Sequence, residues 1–171
     1  MELDSLQVAD ASPWPPIQAG APNVRAAEMM LSNVGACHSE MSALSLYFYN
    51  STITRDRYPD VSECFHRISI VEMHHLDVFA RLSLLLGADP RLWSGPPRRL
   101  SWWSPRCLSY PRERIPLLQN ALHAERNAVA KYRQQASCVG DPGIAAVLER
   151  IILDEKRHIE IFEALLHEAQ G

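Results

Sequence analysis

Glu72 and His75, in the stretch VEMHHLDVF at residues 71–79, stand three apart inside an apolar run, and Glu155 with His158, in LDEKRHIEIF at 153–162, repeats the arrangement. On a helix, side chains three apart share a face and those two apart point nearly opposite ways, so Glu72 pairs with His75 rather than with His74. Two such E-x-x-H pairs facing a core would take four ionisable groups out of water, which is costly unless a counter-charge enters with them. A metal ion is the most economical one. Two ions need more ligands than two Glu and two His, so each remaining helix must offer a carboxylate. Glu40, in CHSEMSALSLYFY, has Cys37 and Leu44 on its own face; Glu125, in NALHAERNAVAKY, has Ala121, Leu122, Ala128 and Val129. The expected ligand set is therefore Glu40, Glu72, His75, Glu125, Glu155 and His158.

These residues need helices to position them. Proline breaks helix interiors, and the twelve prolines leave four long gaps, at 23–58, 60–89, 117–141 and 143–171. Apolar residues inside the gaps recur at three- and four-residue spacing, as in Phe65, Ile68, Phe79, Leu82 and Leu86. Asp141 before Pro142 reads as an N-cap and first helical residue, Pro59 as another helix start, and Gly87 with Pro90 as a stop. The third helix must begin between Pro111 and Pro116. Short connections make helices one and two, and three and four, antiparallel hairpins. The segment 87–111, GADPRLWSGPPRRLSWWSPRCLSYP, lacks helical periodicity and reads as a crossover. The expectation is an all-α fold: a four-helix bundle of two antiparallel hairpins over 23–171, with a long crossover between helices two and three. A proline-rich arm, 1–22, precedes it and is read as loose or as wrapped on a neighbouring subunit.

Depth agrees with this placement. At a rise of about 1.5 Å per residue, Glu40 lies about 15 Å and Glu72 about 20 Å from the first hairpin turn, and Glu125 and Glu155 both about 20 Å from the second. An internal repeat is also visible: Glu40 precedes Glu72 by 32 residues and Glu125 precedes Glu155 by 30, while Tyr47 and Tyr132 each follow a helix glutamate by seven. Tyr47 and Tyr132 are candidates to hydrogen-bond site carboxylates, with core aromatics as the alternative. Asp154 is a candidate to accept a hydrogen bond from His75, fixing its tautomer, with a plain surface Asp as the alternative. His74 is expected on the outer face, and His38, His66, His123 and His167 are expected not to be ligands.

A formal charge of -3 and scattered arginines exclude a basic nucleic-acid face. No apolar stretch approaches the roughly 20 residues needed to cross a bilayer. The N-terminus carries acidic residues and prolines where a signal peptide needs an apolar core, so a cytoplasmic location is expected. Cys37, Cys64, Cys107 and Cys138 form no C-x-x-C; they are expected to be buried free thiols. Trp93, Trp102 and Trp103 with Arg91, Arg98, Arg99 and Arg106 make the crossover a lid, a homodimer contact, or a loop packed on the bundle.

On Glu40, EMHH at 72–75, Glu125 and DEKRH at 154–158, the sequence resembles the ferritin-like superfamily, close to its rubrerythrin and manganese-catalase branch, over roughly residues 24–168. The resemblance implies that Glu72 and Glu155 bridge two iron or manganese ions, with Glu40 and His75 completing one and Glu125 and His158 the other. Rubrerythrins proper carry a rubredoxin domain that is absent here, which implies a separate electron-donor protein. Manganese catalases are similar in having a lysine where this chain has Ala124, and rubrerythrins have a further carboxylate where it has Ala128. The implied function is an oxidoreductase acting on hydrogen peroxide or dioxygen, with Glu40 and Glu125 as terminal ligands that shift with oxidation state. Ferroxidase activity in iron handling, or a structural bundle without turnover, are the alternatives.

Overall fold

The computed structural model describes residues 7–96 and 98–171; residues 1–6 of the arm and Pro97 of the crossover lie outside it. Its helices are α1 (Val24–Gly35), α2 (Glu40–Thr54), α3 (Pro59–Leu85), α4 (Arg114–Cys138) and α5 (Pro142–Gln170). α2 pairs with α3 and α4 with α5, and the segment between α3 and α4 crosses over, giving the expected bundle of two hairpins. Helix starts follow local chemistry. The Asp141 carboxylate accepts the N–H groups of Gly143 and Ile144 at 2.8 and 3.1 Å ahead of Pro142, and Asn23 accepts that of Ala26 at 3.0 Å. α4 starts at Arg114 and carries Pro116 within its first turn, where the missing N–H has no intrahelical partner to lose. Gly87 and Gly140, both at positive φ, turn the chain out of α3 and α4.

The first proline-free gap departs from expectation: it holds two helices that both pack on α3, not one. At the break, residues 36–39, the crossover packs against the end of α1. The crossover backbone presses so close to Gly35 that a Cβ there would meet the Leu92 carbonyl carbon at 2.6 Å. Lys131 Nζ then donates to the carbonyls of Ser32 and His38, both at 2.9 Å, satisfying acceptors that a continuous helix would have used. Gly35→Ala is expected to lower stability by about 1–3 kcal/mol through this contact, read as a lower urea midpoint.

The crossover is more ordered than a periodicity-free loop suggests. Trp93–Ser94 (β1) and Ser101–Trp102 (β2) form an antiparallel two-stranded ladder, followed by a 3₁₀ turn, Pro105–Cys107. Trp103 Nε1 donates to Ser42 Oγ at 2.9 Å, fastening the loop to α2. The cysteine expectation fails at two places. Cys37 and Cys107 are joined in a disulfide, and Cys138 is exposed; only Cys64 is a buried free thiol. The disulfide partners are 70 residues apart, so only the folded crossover brings them together.

The arm, too, is settled by its own chain. Its described residues pack on the bundle: Gly20 N–H donates to Asp141 at 2.8 Å, and Trp14 stacks over the Arg150 guanidinium at 4.6 Å. The core is divided in two. One apolar cluster holds Met30, Phe79, Leu82, Val147 and Ile151, the other Phe65, Ile68, Leu117, Leu118 and Phe162. Each such side chain contributes about 1.5–3 kcal/mol on burial, and a polar layer lies between the two clusters.

Candidate metal centre

All six expected ligands sit in that layer, none more than 2% exposed. Glu72 and His75 come from the middle of α3, Glu155 and His158 from the middle of α5, and Glu125 from α4. Glu40 is the first residue of α2 rather than a mid-helix residue, so the partial positive charge of a helix N-terminus faces it. Donor atoms of Glu40, Glu72, His75 and Glu155 lie within 4.8 Å of one another, as do those of Glu72, Glu125, Glu155 and His158. Glu72 and Glu155 belong to both groups.

The imidazoles point their Nδ1 atoms inward. His75 Nδ1 lies 3.2 Å from Glu72 and 3.3 Å from Glu155; His158 Nδ1 lies 3.1 Å from both. The carboxylates strain against one another. Burial first, then the Glu155 charge, pushes Glu125 up to about 7; burial, then Glu155 and Glu72, raises Glu40 well above the carboxylate range. Burial alone would push both histidines down, yet Glu155 beside His75 and Glu72 beside His158 raise them well above the usual imidazole value. Glu72 and Glu155 are lowered from the ordinary value despite burial and the neighbouring carboxylates, because the charge of His158 beside Glu72 and of His75 beside Glu155, and then the histidine hydrogen bonds, favour their ionised forms.

Such a cluster fits a pair of cations. Four carboxylate charges equal those of two divalent ions, and carboxylate with imidazole suits iron or manganese. Glu72 Oε1 and Glu155 Oε1 lie 3.1 and 3.3 Å from a histidine Nδ1 that also faces a second carboxylate oxygen, so one N–H serves two buried acceptors, a shortage that a ligand at the centre is expected to relieve.

The tyrosines cross between hairpins: Tyr47 of α2 donates to Glu125 of α4, and Tyr132 of α4 donates to Glu40 of α2. Burial, with the adjacent carboxylate, keeps both phenols protonated as donors. Asp154 Oδ2 lies 3.0 Å from His75 Nε2. Its other oxygen accepts from Arg150 at 2.8 Å and from the Asp10 N–H at 2.7 Å, and Arg150 in turn holds the Ser12 and Asp10 carbonyls. The corresponding position before Glu72 is Val71, and His158 Nε2 has no partner. Asp154→Ala is therefore expected to weaken one of two metal ions by about 10–100-fold, read as two separated steps in a chelator competition.

His74 lies outside the cluster with its ring 4.7 Å from Trp14, and His38, His66, His123 and His167 are in neither ligand group. Arg150, Trp14 and Lys131 escaped the sequence reading. Arg150, four residues before Asp154 on the same helix face, was findable by spacing; Trp14 left no local signal. A cavity of about 260 Å³ leads from the surface near Cys37, His123 and Asn127 past Lys131 to Glu40, Glu72, Glu125 and Glu155. Ala124 and Ala128 form part of its wall. No helix among the described residues is long and apolar enough to cross a membrane.

A family model described as Rubrerythrin matches residues 34–166. No curated protein matches the chain. Among solved structures it is similar to KatB, a manganese catalase from Anabaena PCC7120, at 19% identity and a TM-score of 0.80, covering 95% of this chain and 80% of that one. It is similar to a bacterioferritin from Rhodobacter capsulatus at 22% identity and a TM-score of 0.73, covering 88% and 89%. A dodecameric thioferritin from Bacteroides fragilis gives 18% and 0.69, covering 86% and 88%. These likenesses establish a ferritin-like fold.

Proposed function

Because this chain belongs to the rubrerythrin family, we propose that its polar layer holds two iron or manganese ions and reduces hydrogen peroxide, or activates dioxygen, as a peroxidase-type oxidoreductase. The observation that carries this reading is the pair of four-ligand groups sharing Glu72 and Glu155 at the end of a cavity open to the surface. Glu72 and Glu155, common to both groups, would hold the pair together with Glu40 and His75 on one side and Glu125 and His158 on the other. When bound there, a pair of redox ions would make two electrons available at one place, the number that cleavage of an O–O bond requires.

The chain's own residues do the rest. Asp154 fixes the His75 ring with Nδ1 inward, and the Tyr132 and Tyr47 hydroxyls orient Glu40 and Glu125. These two carboxylates border the cavity, where they are placed to shift as oxidation state changes. A cavity of about 260 Å³ suits a small oxidant, and the Lys131 ammonium at its side offers a hydrogen-bond donor. The same reading includes a separate electron donor, a homodimer and a cytoplasmic location.

Elemental analysis followed by anaerobic peroxide titration of the reduced protein tests it. Two equivalents of iron or manganese and stoichiometric peroxide consumption with a metal-dependent absorbance change are expected. Peroxide consumption without that change would refute the enzyme reading. A hollow shell that accumulates ferric iron would establish iron storage instead, and metal-bound stability with no response to peroxide or dioxygen would establish a structural bundle.

A further inference from the structure

We propose that the Cys37–Cys107 pair is the port through which reducing equivalents enter the centre, and that the reductant it accepts is a dithiol. This rests on the two-metal reading above. Cys37 lies in the break between α1 and α2, three residues before Glu40, and Cys107 closes the 3₁₀ turn of the crossover. Both line the cavity that ends at Glu40, Glu72, Glu125 and Glu155. Cys37 is exposed and Cys107 half-buried, so an external thiolate can reach the bond from solvent. The other two cysteines do not combine these properties: Cys64 is buried, with burial pushing its thiol up to about 11, and neither Cys64 nor Cys138 lines the cavity.

The disulfide is not the only fastening of the loop. Trp103 bonds Ser42, the Trp103 N–H donates to the Leu92 carbonyl at 2.8 Å, and Ser42 Oγ donates to the Cys37 carbonyl at 2.8 Å. These contacts hold the crossover on α2 whether the sulfurs are joined or not, so the pair can cycle without the wall of the cavity opening. A dithiol carries two electrons, the number that peroxide reduction requires. In reducing compartments, disulfides are usually transient and catalytic or redox-sensing.

The step balances. In the dithiol form the two S–H bonds break and one S–S bond forms. Two electrons and two protons pass along the cavity to peroxide, whose O–O bond breaks to give two waters. An external dithiol then attacks an exposed sulfur, forms a mixed disulfide and leaves as its own cyclic disulfide, restoring both thiols.

The test uses the full chain loaded with iron or manganese, its metal content measured first, then reduced with dithiothreitol and desalted without oxygen. One equivalent of peroxide is expected to consume two thiols per chain, about tenfold faster with metals than in metal-free protein. Cys37→Ser and Cys107→Ser are expected to keep two metals per chain and lose dithiothreitol-driven peroxide turnover by about tenfold or more. Thiol loss at the same rate without metals, or serine variants with undiminished dithiothreitol-driven turnover, would reduce the disulfide to a brace and overturn the proposal. The thiol count on the unmutated protein decides the matter if a variant does not fold. A chain that takes up no metal refutes the two-metal reading instead, and is recognised before peroxide is added.

Discussion

Glu72→Gln is expected to leave less than one metal ion per chain where the parent binds two, whereas Glu40→Gln is expected to lose only one. The difference follows from which donors are shared. Glu72 belongs to both four-residue groups and Glu40 to one. Gln preserves the shape of the side chain while removing a charge, so a fall in stoichiometry reports coordination rather than packing. Removing one bridging charge also leaves three carboxylates against four cationic charges, an imbalance with a steep cost in a layer none of whose ligands is more than 2% exposed. Elemental analysis of each variant alongside its thermal unfolding checks this. A Glu72→Gln protein that retains two tightly bound ions would contradict the shared-ligand arrangement.

Metal-free protein is expected to lose stability as pH rises from about 5 to 8, and added metal to raise Tm increasingly over that interval. The signs come from the groups in the layer. Glu125, raised from 4.5 to about 7, and Glu40, raised well above its ordinary value, bind more protons folded than unfolded. Their favourable contribution is complete below about 4.5 and fades as pH climbs through the folded values. His75 and His158, also raised, act in the same direction from about 6.5 upward. Glu125 alone is worth about 3 kcal/mol on this scale. Glu72, Glu155 and Asp154 are lowered, and their opposite contribution changes only below about 4.5. Lys131, which burial pulls down to about 8, acts above the interval. Metal displaces the protons, so its stabilising effect grows as they become easier to remove. Scanning calorimetry at several pH values, with and without metal, measures both slopes; a flat metal-free profile would contradict the crowding of charge described here.

The helices of the bundle were legible because proline, glycine and Asp141 act locally, and the ligands because E-x-x-H fixes a helix face wherever the helix goes. Glu40 was found by demand: two ions required a fourth carboxylate, and only one glutamate of the first gap had apolar neighbours at matching depth. Its position at a helix start was not legible, since no proline marks the break at 36–39 and the crossover backbone that packs there against Gly35 comes some sixty residues later in the chain. The same distance hid the Cys37–Cys107 bond, as spacing rules detect neighbouring cysteines only. The seat of the arm was equally invisible. Arg150 grips main-chain carbonyls of Ser12 and Asp10, and a carbonyl has no signature in an amino-acid sequence.

The crossed tyrosines carry a consequence for how the molecule can be divided. Glu40 and Glu125 are 85 residues apart, and so are Tyr47 and Tyr132; each half supplies the phenol that the other half's carboxylate requires. Expressed as two separate polypeptides, the halves are then mutually dependent, and only their mixture should regain the centre. A hairpin able to associate with a copy of itself would already possess both members of that exchange. Asp154, where the first half has Val71, marks a position at which the two halves are not equivalent.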